Sequence, residues 1–247
     1  MLSENRHQQI VNIVQEKGSA TVTELSERLN ISESTIRRDL TELDQAGILK
    51  KVFGGAVSKS MNFASQDVSV EGRAPQNHEA KDAIAKYAAS LISSGDFVYI
   101  DAGTTSELMI PYITAKDAVF VTNGFCHAKK LSKAGFKTFL LGGEIKDSTE
   151  AVIGAVATKQ LEAYNFTKGF FGVNGISVAQ GLTTPDIREA SVKEKAISQC
   201  MESFALADSS KFSQISCVKF AAFEDITIIT EKIIDAEYRK YSNIVEA

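Results

Sequence analysis

Residues 20–57 contain two short helical patterns joined by a tight turn, and a hairpin pattern follows them. Thr23 is predicted to cap the first helix, and Asn30, which tolerates the left-handed conformation, is predicted to end it. Ser32 would cap the second helix, and Gly47 would follow its last turn. This order of caps and stops is typical of a winged helix-turn-helix.

The second helix of this motif has one apolar and one polar face. At about 100° per residue, Ile36, Leu40 and Leu43 fall on one stripe that we expect to pack inward. The polar face suits the major groove of double-stranded DNA, where Arg binds guanine and Ser or Thr contacts bases or phosphates. Alternatively, Arg37 and Arg38 belong to the solvated face of an ordinary helical domain. The candidate DNA-contacting residues on this helix are Ser34, Thr35, Arg37, Arg38 and Thr41.

The stretch 48–59 has two glycines near its centre and predicts a small β-hairpin, which we call the wing. Lys50, Lys51 and Lys59 would lie beside the phosphate backbone and contribute affinity without sequence preference. Residues 37–59 hold five basic and three acidic side chains, which indicates a modest DNA-binding surface. A single copy should bind DNA weakly, so a homodimer or homotetramer is expected.

The length of the chain predicts a second domain. Its 247 residues leave about 170 beyond the DNA-binding module, enough for a sizeable core. We predict a winged helix-turn-helix domain at 1–58, a linker at 59–75 and a second domain at 76–247. The formal charge of −4 argues against a purely electrostatic DNA binder. Because the sequence shows neither an apolar run of membrane-spanning length nor a secretion signal, no membrane association and a cytoplasmic location are expected.

The three cysteines and three histidines are widely scattered along the sequence. Their spacing predicts no disulfide framework, no metal site and no bound cofactor. Cys126 and His127 are neighbours, but adjacent residues rarely face each other, so a nucleophilic pair is not expected.

From residue 76 onward, helical and strand patterns alternate, which predicts an α/β fold with a largely parallel sheet flanked by helices. Helices are expected near Thr105, across 153–164 and across Ile187–Glu202. Strands are expected, among others, at Gly169–Val173 and Phe204–Ala207. No internal repeat is evident.

Glycines and polar residues follow four of the apolar strand patterns. In parallel sheets, ligands bind beyond the carboxyl ends of the strands, where glycines allow close approach and Thr hydroxyls or backbone N–H groups bind phosphate. The sequence lacks GxxxxGK[ST] and a GxGxxG after a strand, so a small phosphorylated metabolite is favoured over a nucleotide. The candidate effector-binding residues in these loops are Asp101, Gly103, Thr104, Thr105, Asn123, Gly142, Gly143, Asn174 and Gly175.

Two later segments extend this candidate pocket. Asp208 and Lys211 follow an apolar strand and offer a carboxylate and an ammonium group. Glu189 and Lys193, one helical turn apart, either face the same cavity or form a surface ion pair. An isomerase-like enzyme is the alternative function, with Asp101 or Asp208 as general base and Lys211 stabilising an enediolate. The DNA-binding motif favours a regulator, and the lack of an aromatic and basic platform disfavours an RNA-binding adaptor.

The sequence resembles the DeoR family of bacterial sugar-metabolism repressors. The N-terminal resemblance rests on TIRRDL followed by GILKKVFGGA, in which the family commonly has histidine at the position of Phe53. The later resemblance rests on Arg73 with Lys81 eight residues on, and on DAGTT, TN, LGG, FFGVNGI, EASVK and ADSSKF. It implies a transcriptional repressor whose second domain senses a sugar phosphate and is related in fold to ribose 5-phosphate isomerase and the coenzyme A transferases.

Two further segments are similar to the fructose operon repressor branch of this family. They are YNFTKGFFGVNGIS at 164–177 and GLTTPD at 181–186. The resemblance implies fructose 1-phosphate as the inducer. We therefore expect a repressor of a sugar-utilisation operon that is released from its operator when the phosphosugar binds the α/β domain.

Overall fold

The computed structural model describes residues 3–52, 54–58, 62–63 and 69–247. Phe53 at the tip of the wing and Lys59 after it, both singled out in the sequence, lie outside these residues. Within the described ranges, no helix combines the length and the apolar character needed to cross a membrane.

The N-terminal part combines three helices with a small antiparallel sheet. Its elements are α1 (Ser3–Lys17), β1 (Ser19–Thr21), α2 (Val22–Leu29), α3 (Glu33–Gln45), β2 (Leu49–Val52) and β3 (Gly55–Ser58). Strands β2 and β3 form the predicted wing, and β1 pairs with the other edge of β3. The sequence did not predict β1 because three residues are too few to show an alternating pattern.

Most of the predicted helix ends are present. Asn30 ends α2 with φ 53°, Ser32 caps α3 with its side chain, and Gly47 follows α3 with φ 67°. The prediction for Thr23 was wrong. Thr21 caps α2 instead, accepting a backbone hydrogen bond at 3.1 Å, because the apolar residue between the two threonines is buried inside the first turn.

The core of this part joins α1 to the predicted apolar stripe of α3. Ile36, Leu40 and Leu43 are all buried, and they belong to one cluster with Ile10 and Val14 of α1. The opposite face of α3 therefore remains exposed.

The rest of the described chain is larger and alternates strands with helices. Its strands are β4 (Asn62–Phe63), β5 (Phe97–Ile100), β6 (Val119–Thr122), β7 (Lys137–Leu140), β8 (Glu144–Lys146), β9 (Ala151–Ile153), β10 (Phe166–Gly172), β11 (Gly175–Ser177), β12 (Gly181–Thr184), β13 (Cys200–Leu206), β14 (Gln214–Ile215), β15 (Val218–Ala221), β16 (Thr227–Thr230) and β17 (Ile244–Glu246). Its helices are α4 (Val70–Arg73), α5 (His78–Ser90), α6 (Thr104–Met109), α7 (Phe125–Lys133), α8 (Ala155–Leu161) and α9 (Ile187–Ile197).

The central sheet has the strand order β17-β16-β13-β10-β5-β6-β7, and every neighbouring pair is parallel. The predicted α/β fold is confirmed. From β5, the chain first adds β6 and β7 on one side and then adds β10 and the later strands on the other. Such a change of direction opens a crevice at the carboxyl ends of the two central strands.

Both faces of the central sheet are covered. Tyr99 and Phe171 belong to a core cluster that includes residues of α8 and α9, whereas their neighbours Ile100 and Phe170 belong to a second cluster with residues of α5, α6 and α7. Adjacent residues of a strand point to opposite faces of the sheet, so Phe170 and Phe171, which are neighbours in sequence, pack into different clusters.

The predicted helix across Ile187–Glu202 is too long. Helix α9 ends at Ile197, and β13 begins at Cys200, because Cys200 and Glu202 pair with β10 in the sheet. The short strands β8, β9, β11, β12 and β15 were not predicted from the sequence.

Two parts of the segment 59–75 contact the second domain. Strand β4 pairs in parallel with β14, and α4 is a helical turn capped by the side chain of Ser69. Both lie within the stretch that the sequence indicated as a linker.

Candidate effector pocket and DNA-binding surface

A cleft opens at the carboxyl ends of β5, β10 and β13, where the strand order changes direction. It contains about 640 Å³ of space when its open mouth is included. The sequence-predicted residues that line it are Gly103, Thr104, Thr105, Asn174, Glu189, Lys193, Asp208 and Lys211.

Asp101 does not itself line the cleft, but it forms a buried ion pair with Lys193, which does; their side chains are 2% and 7% exposed. The Asp101 carboxylate also accepts a hydrogen bond from the N–H of Gly172 at 3.0 Å, and the Lys193 ammonium donates to the carbonyl of Gly172 at 3.1 Å. The ammonium of Lys193 thus pairs with Asp101. The structure does not show the surface ion pair between Glu189 and Lys193 that was one of the two alternatives from the sequence.

Glu189 is held by a different set of groups. Thr149 donates a hydrogen bond to its carboxylate at 2.6 Å, and the ammonium of Lys146 lies 3.4 Å away. Thr184 approaches the second carboxylate oxygen at 3.4 Å and also donates to the amide oxygen of Asn174 at 3.2 Å. Glu189 and Asn174 are thus connected through one hydroxyl on the wall of the cleft.

Asp208 and Lys211 follow β13 and also line the cleft. Asn77 donates to the Asp208 carboxylate at 2.9 Å, and the backbone N–H of Ser210 donates to the same oxygen at 3.1 Å. Lys211 forms no ion pair among the described residues, although it lines the cleft. Its charge is available to an anionic ligand.

Arg73 and Lys81 also line the cleft, although neither is among the effector-binding residues predicted from the strand and loop patterns. The ammonium of Lys81 is buried and donates to the carbonyl of Arg73 at 2.5 Å. Burial lowers the pKa of Lys81, while the Asp208 carboxylate acts in the opposite direction. The available sequence signal was the spacing of these two residues in the DeoR resemblance.

Four other candidates lie outside the cleft. Asn123 follows β6 and fixes the first loop by accepting the N–H of Ala102 at 2.8 Å. Gly142 and Gly143 follow β7, two strands away from β5, and neighbouring strands are about 4.8 Å apart. Gly175 is required by packing, since a Cβ there would lie 2.6 Å from the carbonyl of Gln214. Asn123 and Gly175 therefore support the structure around the cleft.

Cys126 and His127 contact different groups, as expected for chance neighbours. His127 is buried, and its Nε2 lies 3.1 Å from both the hydroxyl of Ser106 and the carbonyl of Gly103. Burial lowers the pKa of His127. Cys126 donates to Glu150 at 2.8 Å. The histidine therefore supports the loop at the start of α6.

The exposed face of α3 carries all five predicted DNA-contacting residues. Arg37 pairs with Glu33 at 2.7 Å, whereas Arg38 is 70% exposed and makes a longer contact with Glu42, at 3.8 Å. Thr35 and Ser34 share hydrogen bonds with the capping serine, and Thr41 donates to the carbonyl of Arg37. These contacts hold the polar face of α3 in one arrangement.

The wing lies against this helix. Lys50 and Lys51 are both exposed. The ammonium of Lys51 donates to the hydroxyl of Thr41 at 2.6 Å, and its backbone N–H donates to Asp44 at 3.0 Å. The two predicted DNA-contacting elements therefore form one continuous polar surface.

A buried carboxylate joins α3 to α1. Both oxygens of Asp39 accept hydrogen bonds from Arg6, at 2.5 and 2.8 Å, and His7 lies 3.2 Å away. Burial would raise the pKa of Asp39, but the hydrogen bonds from Arg6 and His7 outweigh it and lower the pKa. His7, Asp39 and Glu42 have the side-chain types of a metal site, yet Arg6 already satisfies both Asp39 oxygens.

Comparisons with known proteins identify the family to which both parts of this chain belong. The model of the DeoR-like helix-turn-helix domain matches residues 6–62, and that of the DeoR C terminal sensor domain matches residues 76–232. The chain belongs to the DeoR family. Its DeoR-family relatives include the "Uncharacterized HTH-type transcriptional regulator FruR" of Bacillus subtilis (strain 168), which is 42% identical over 100% of this chain and 96% of its own length.

A second DeoR-family relative is the lactose phosphotransferase system repressor of Streptococcus mutans, 34% identical over 100% of this chain and 99% of that protein. Among solved structures, ribose 5-phosphate isomerase A of Methanocaldococcus jannaschii has a TM-score of 0.40 and 16% identity, covering 56% of this chain and 55% of that one. The domains and relatives identify this DeoR-family chain as a DNA-binding transcriptional repressor and not an enzyme.

Proposed function

We propose that this DeoR-family repressor binds a sugar phosphate in the cleft and is thereby released from its operator. The observation that carries the proposal is the convergence of Arg73, Lys81 and Lys211 on one cleft at the carboxyl edge of the sheet. Cationic side chains form the strongest hydrogen bonds to phosphate oxygens. Thr104 and Thr105 add hydroxyl donors at the same edge.

The remaining lining groups suit a sugar. Glu189 and Asp208 offer carboxylate acceptors, and Asn174 offers an amide. Because each is already oriented by neighbouring hydrogen bonds, a polyol would meet a preformed set of partners. Asp101 would hold Lys193 in position at the cleft through their ion pair.

We further propose fructose 1-phosphate as the effector. The support is the fructose-type resemblance of 164–177 and 181–186, and the name FruR of the Bacillus subtilis relative. We also propose that the exposed face of α3 reads the operator and that Lys50 and Lys51 bind its phosphates. One such helix covers a short half-site, so the repressor would act as a homodimer or homotetramer.

The test begins with a DNA duplex selected by the wild-type protein from a randomised library, called here the selected duplex. Its complex with the protein is titrated with fructose 1-phosphate, fructose 6-phosphate, ribose 5-phosphate, glycerol 3-phosphate and unphosphorylated fructose. Release by a sugar phosphate but not by fructose supports the proposal. If no member of this panel releases the duplex, the effector assignment fails.

The variant Lys211→Ala tests whether the sugar phosphate acts by binding in the cleft. This variant should bind the selected duplex as wild type does but require at least tenfold more sugar phosphate for release, because one charge-assisted contact is lost. Lys129→Ala, an exposed lysine on α7, is the matched control. A normal response of Lys211→Ala would show that the site lies elsewhere.

A further inference from the structure

We propose that effector occupancy reaches the DNA-binding domain through residues 69–77, which form part of the wall of the cleft and lie on the connection between the two domains. This inference rests on the proposed function, and it adds the route by which that site is regulated. It follows from how both ends and the middle of the segment are attached to the cleft.

The middle of the segment carries an unsatisfied donor on Arg73, a residue that lines the cleft. The Nε of Arg73 is buried and has no hydrogen-bond partner among the described residues. Buried donors of this kind are rare and destabilising, and an anionic ligand would supply the missing acceptor. A bound phosphate would therefore stabilise the position in which α4 is docked.

The C-terminal end of the segment is fixed to one wall. Asn77 adopts the left-handed conformation with φ 51°, and its amide donates to Asp208 at 2.9 Å and to Ser210 at 3.3 Å. Its carbonyl accepts the N–H of Lys81 at 3.0 Å. Asp208 and Lys81 both line the cleft, so this end is attached to the ligand-facing residues themselves.

The N-terminal end of the segment is fixed to another wall. The N–H of Val70 donates to the carbonyl of Ser148 at 2.9 Å. The next residue, Thr149, lines the cleft and donates to Glu189 at 2.6 Å. Further upstream, β4 pairs with β14, which begins three residues after Lys211. The connection is thus bonded to Asp208, to Ser148 beside Thr149, and to strand β14.

A ligand shifts an equilibrium between two arrangements only if it binds them differently. We infer that the difference lies in Arg73, which lines the cleft in the docked arrangement of α4. Binding would favour the docked arrangement and so change the path of the chain toward the DNA-binding domain.

Val70→Pro tests this route without changing a cleft residue. Val70 is the first residue of α4, a position that favours proline, and Ser69 has φ −57° and ψ 158°, which suits a residue before proline. The variant removes the N–H that binds Ser148, whereas the control Val70→Ala keeps it.

The most potent sugar phosphate of the panel should still bind Val70→Pro in calorimetry. Its effect on the affinity for the selected duplex should shrink by about fivefold to tenfold, the effect of one backbone hydrogen bond, while Val70→Ala behaves as wild type. Because coupling is reciprocal, the ligand affinities of the free and DNA-bound protein should also converge in Val70→Pro.

Equal coupling in Val70→Pro and wild type would overturn the inference. A second measurement does not depend on that variant: amide hydrogen exchange of residues 69–77 in the wild-type protein should slow when the sugar phosphate is added, and unchanged exchange would also overturn it. If the wild-type complex responds to no sugar phosphate, the proposed function itself fails first, so the two failures are distinguishable.

Discussion

Of the two arginines of α3, Arg38 is the one whose charge is less neutralised by a carboxylate on the same helix. Arg37 holds Glu33 at 2.7 Å, whereas the contact of Arg38 with Glu42 is 3.8 Å and its side chain is 70% exposed. Exposed ion pairs of this kind contribute little to stability. Arg38 is therefore free to exchange its intrahelical contact for a base or a phosphate.

Arg38→Ala should weaken binding to the selected duplex by about 1–3 kcal/mol if the guanidinium contacts a base. Fluorescence anisotropy would measure it, with Arg239→Ala, an exposed arginine near the C-terminus, as a control of equal charge change. Unchanged affinity in a folded Arg38→Ala variant would remove this residue from the interface.

The sequence predicted single residues well where a local rule decided their role. Asn30, Ser32 and Gly47 follow cap rules that depend on a few neighbours in the chain. Asp39 and Arg73 could not be predicted in this way, because their roles depend on contacts across the fold. A carboxylate on a helix and an arginine in a linker look solvent-exposed until their partners are known.

At the scale of elements, the wing and α3 act as one surface because Lys51 bonds to Thr41 at 2.6 Å. Lys50 is exposed on the same strand, and we choose it to test a phosphate contact of the wing. Lys50→Ala should weaken binding to the selected duplex and to an unrelated duplex about equally, and should reduce the salt dependence by about one unit. Titrations at several salt concentrations would show this, and a loss confined to the selected duplex would contradict it.

Helix α9 carries Glu189 and Lys193, and Asp186 caps it. Burial would raise the pKa of Asp186, but hydrogen bonds from Arg188 and Lys146 outweigh it and lower the pKa from 3.8 to about 2. A lowered carboxyl pKa contributes stability above its unfolded value, and that contribution is lost as the pH falls through the folded value. Here it amounts to roughly 2 kcal/mol at neutral pH.

Asp186→Asn should therefore lower thermal stability at pH 7, and its difference from wild type should disappear between about pH 4 and pH 2. Calorimetry across this range would measure it, with the exposed Asp225→Asn as control. A difference that persists unchanged at pH 2 would show that the charge of Asp186 is not its source.

At the scale of the whole molecule, the alternating patterns were enough to predict a parallel α/β sheet, because each long strand and helix carries its own period. They could not predict strand order, and strand order decides which loops meet. The loops after β5, β10 and β13 share the cleft, whereas those after β6 and β7 lie to one side. Asn123 and Gly142 were therefore placed with the cleft on sequence grounds but lie outside it.

The selectivity of the cleft is a property of the whole assembly of walls. In the proposed site, Arg73, Lys81 and Lys211 would bind a phosphate, and Glu189 and Asp208 would bind a ligand with several hydroxyl groups. Unphosphorylated fructose should be ineffective, because each charge-assisted hydrogen bond to a phosphate contributes about 1.5–3 kcal/mol and its loss lowers affinity by well over tenfold.

Among the phosphates, we expect fructose 1-phosphate to release the selected duplex at a lower concentration than fructose 6-phosphate, ribose 5-phosphate or glycerol 3-phosphate. Glycerol 3-phosphate keeps the phosphate but has fewer hydroxyl groups to bind the polar residues of the cleft. The other two place the phosphate at a different carbon relative to the hydroxyls. Half-effective concentrations measured by anisotropy would rank them. A lower value for any competitor would reject fructose 1-phosphate as the effector while leaving a sugar-phosphate-responsive repressor in place.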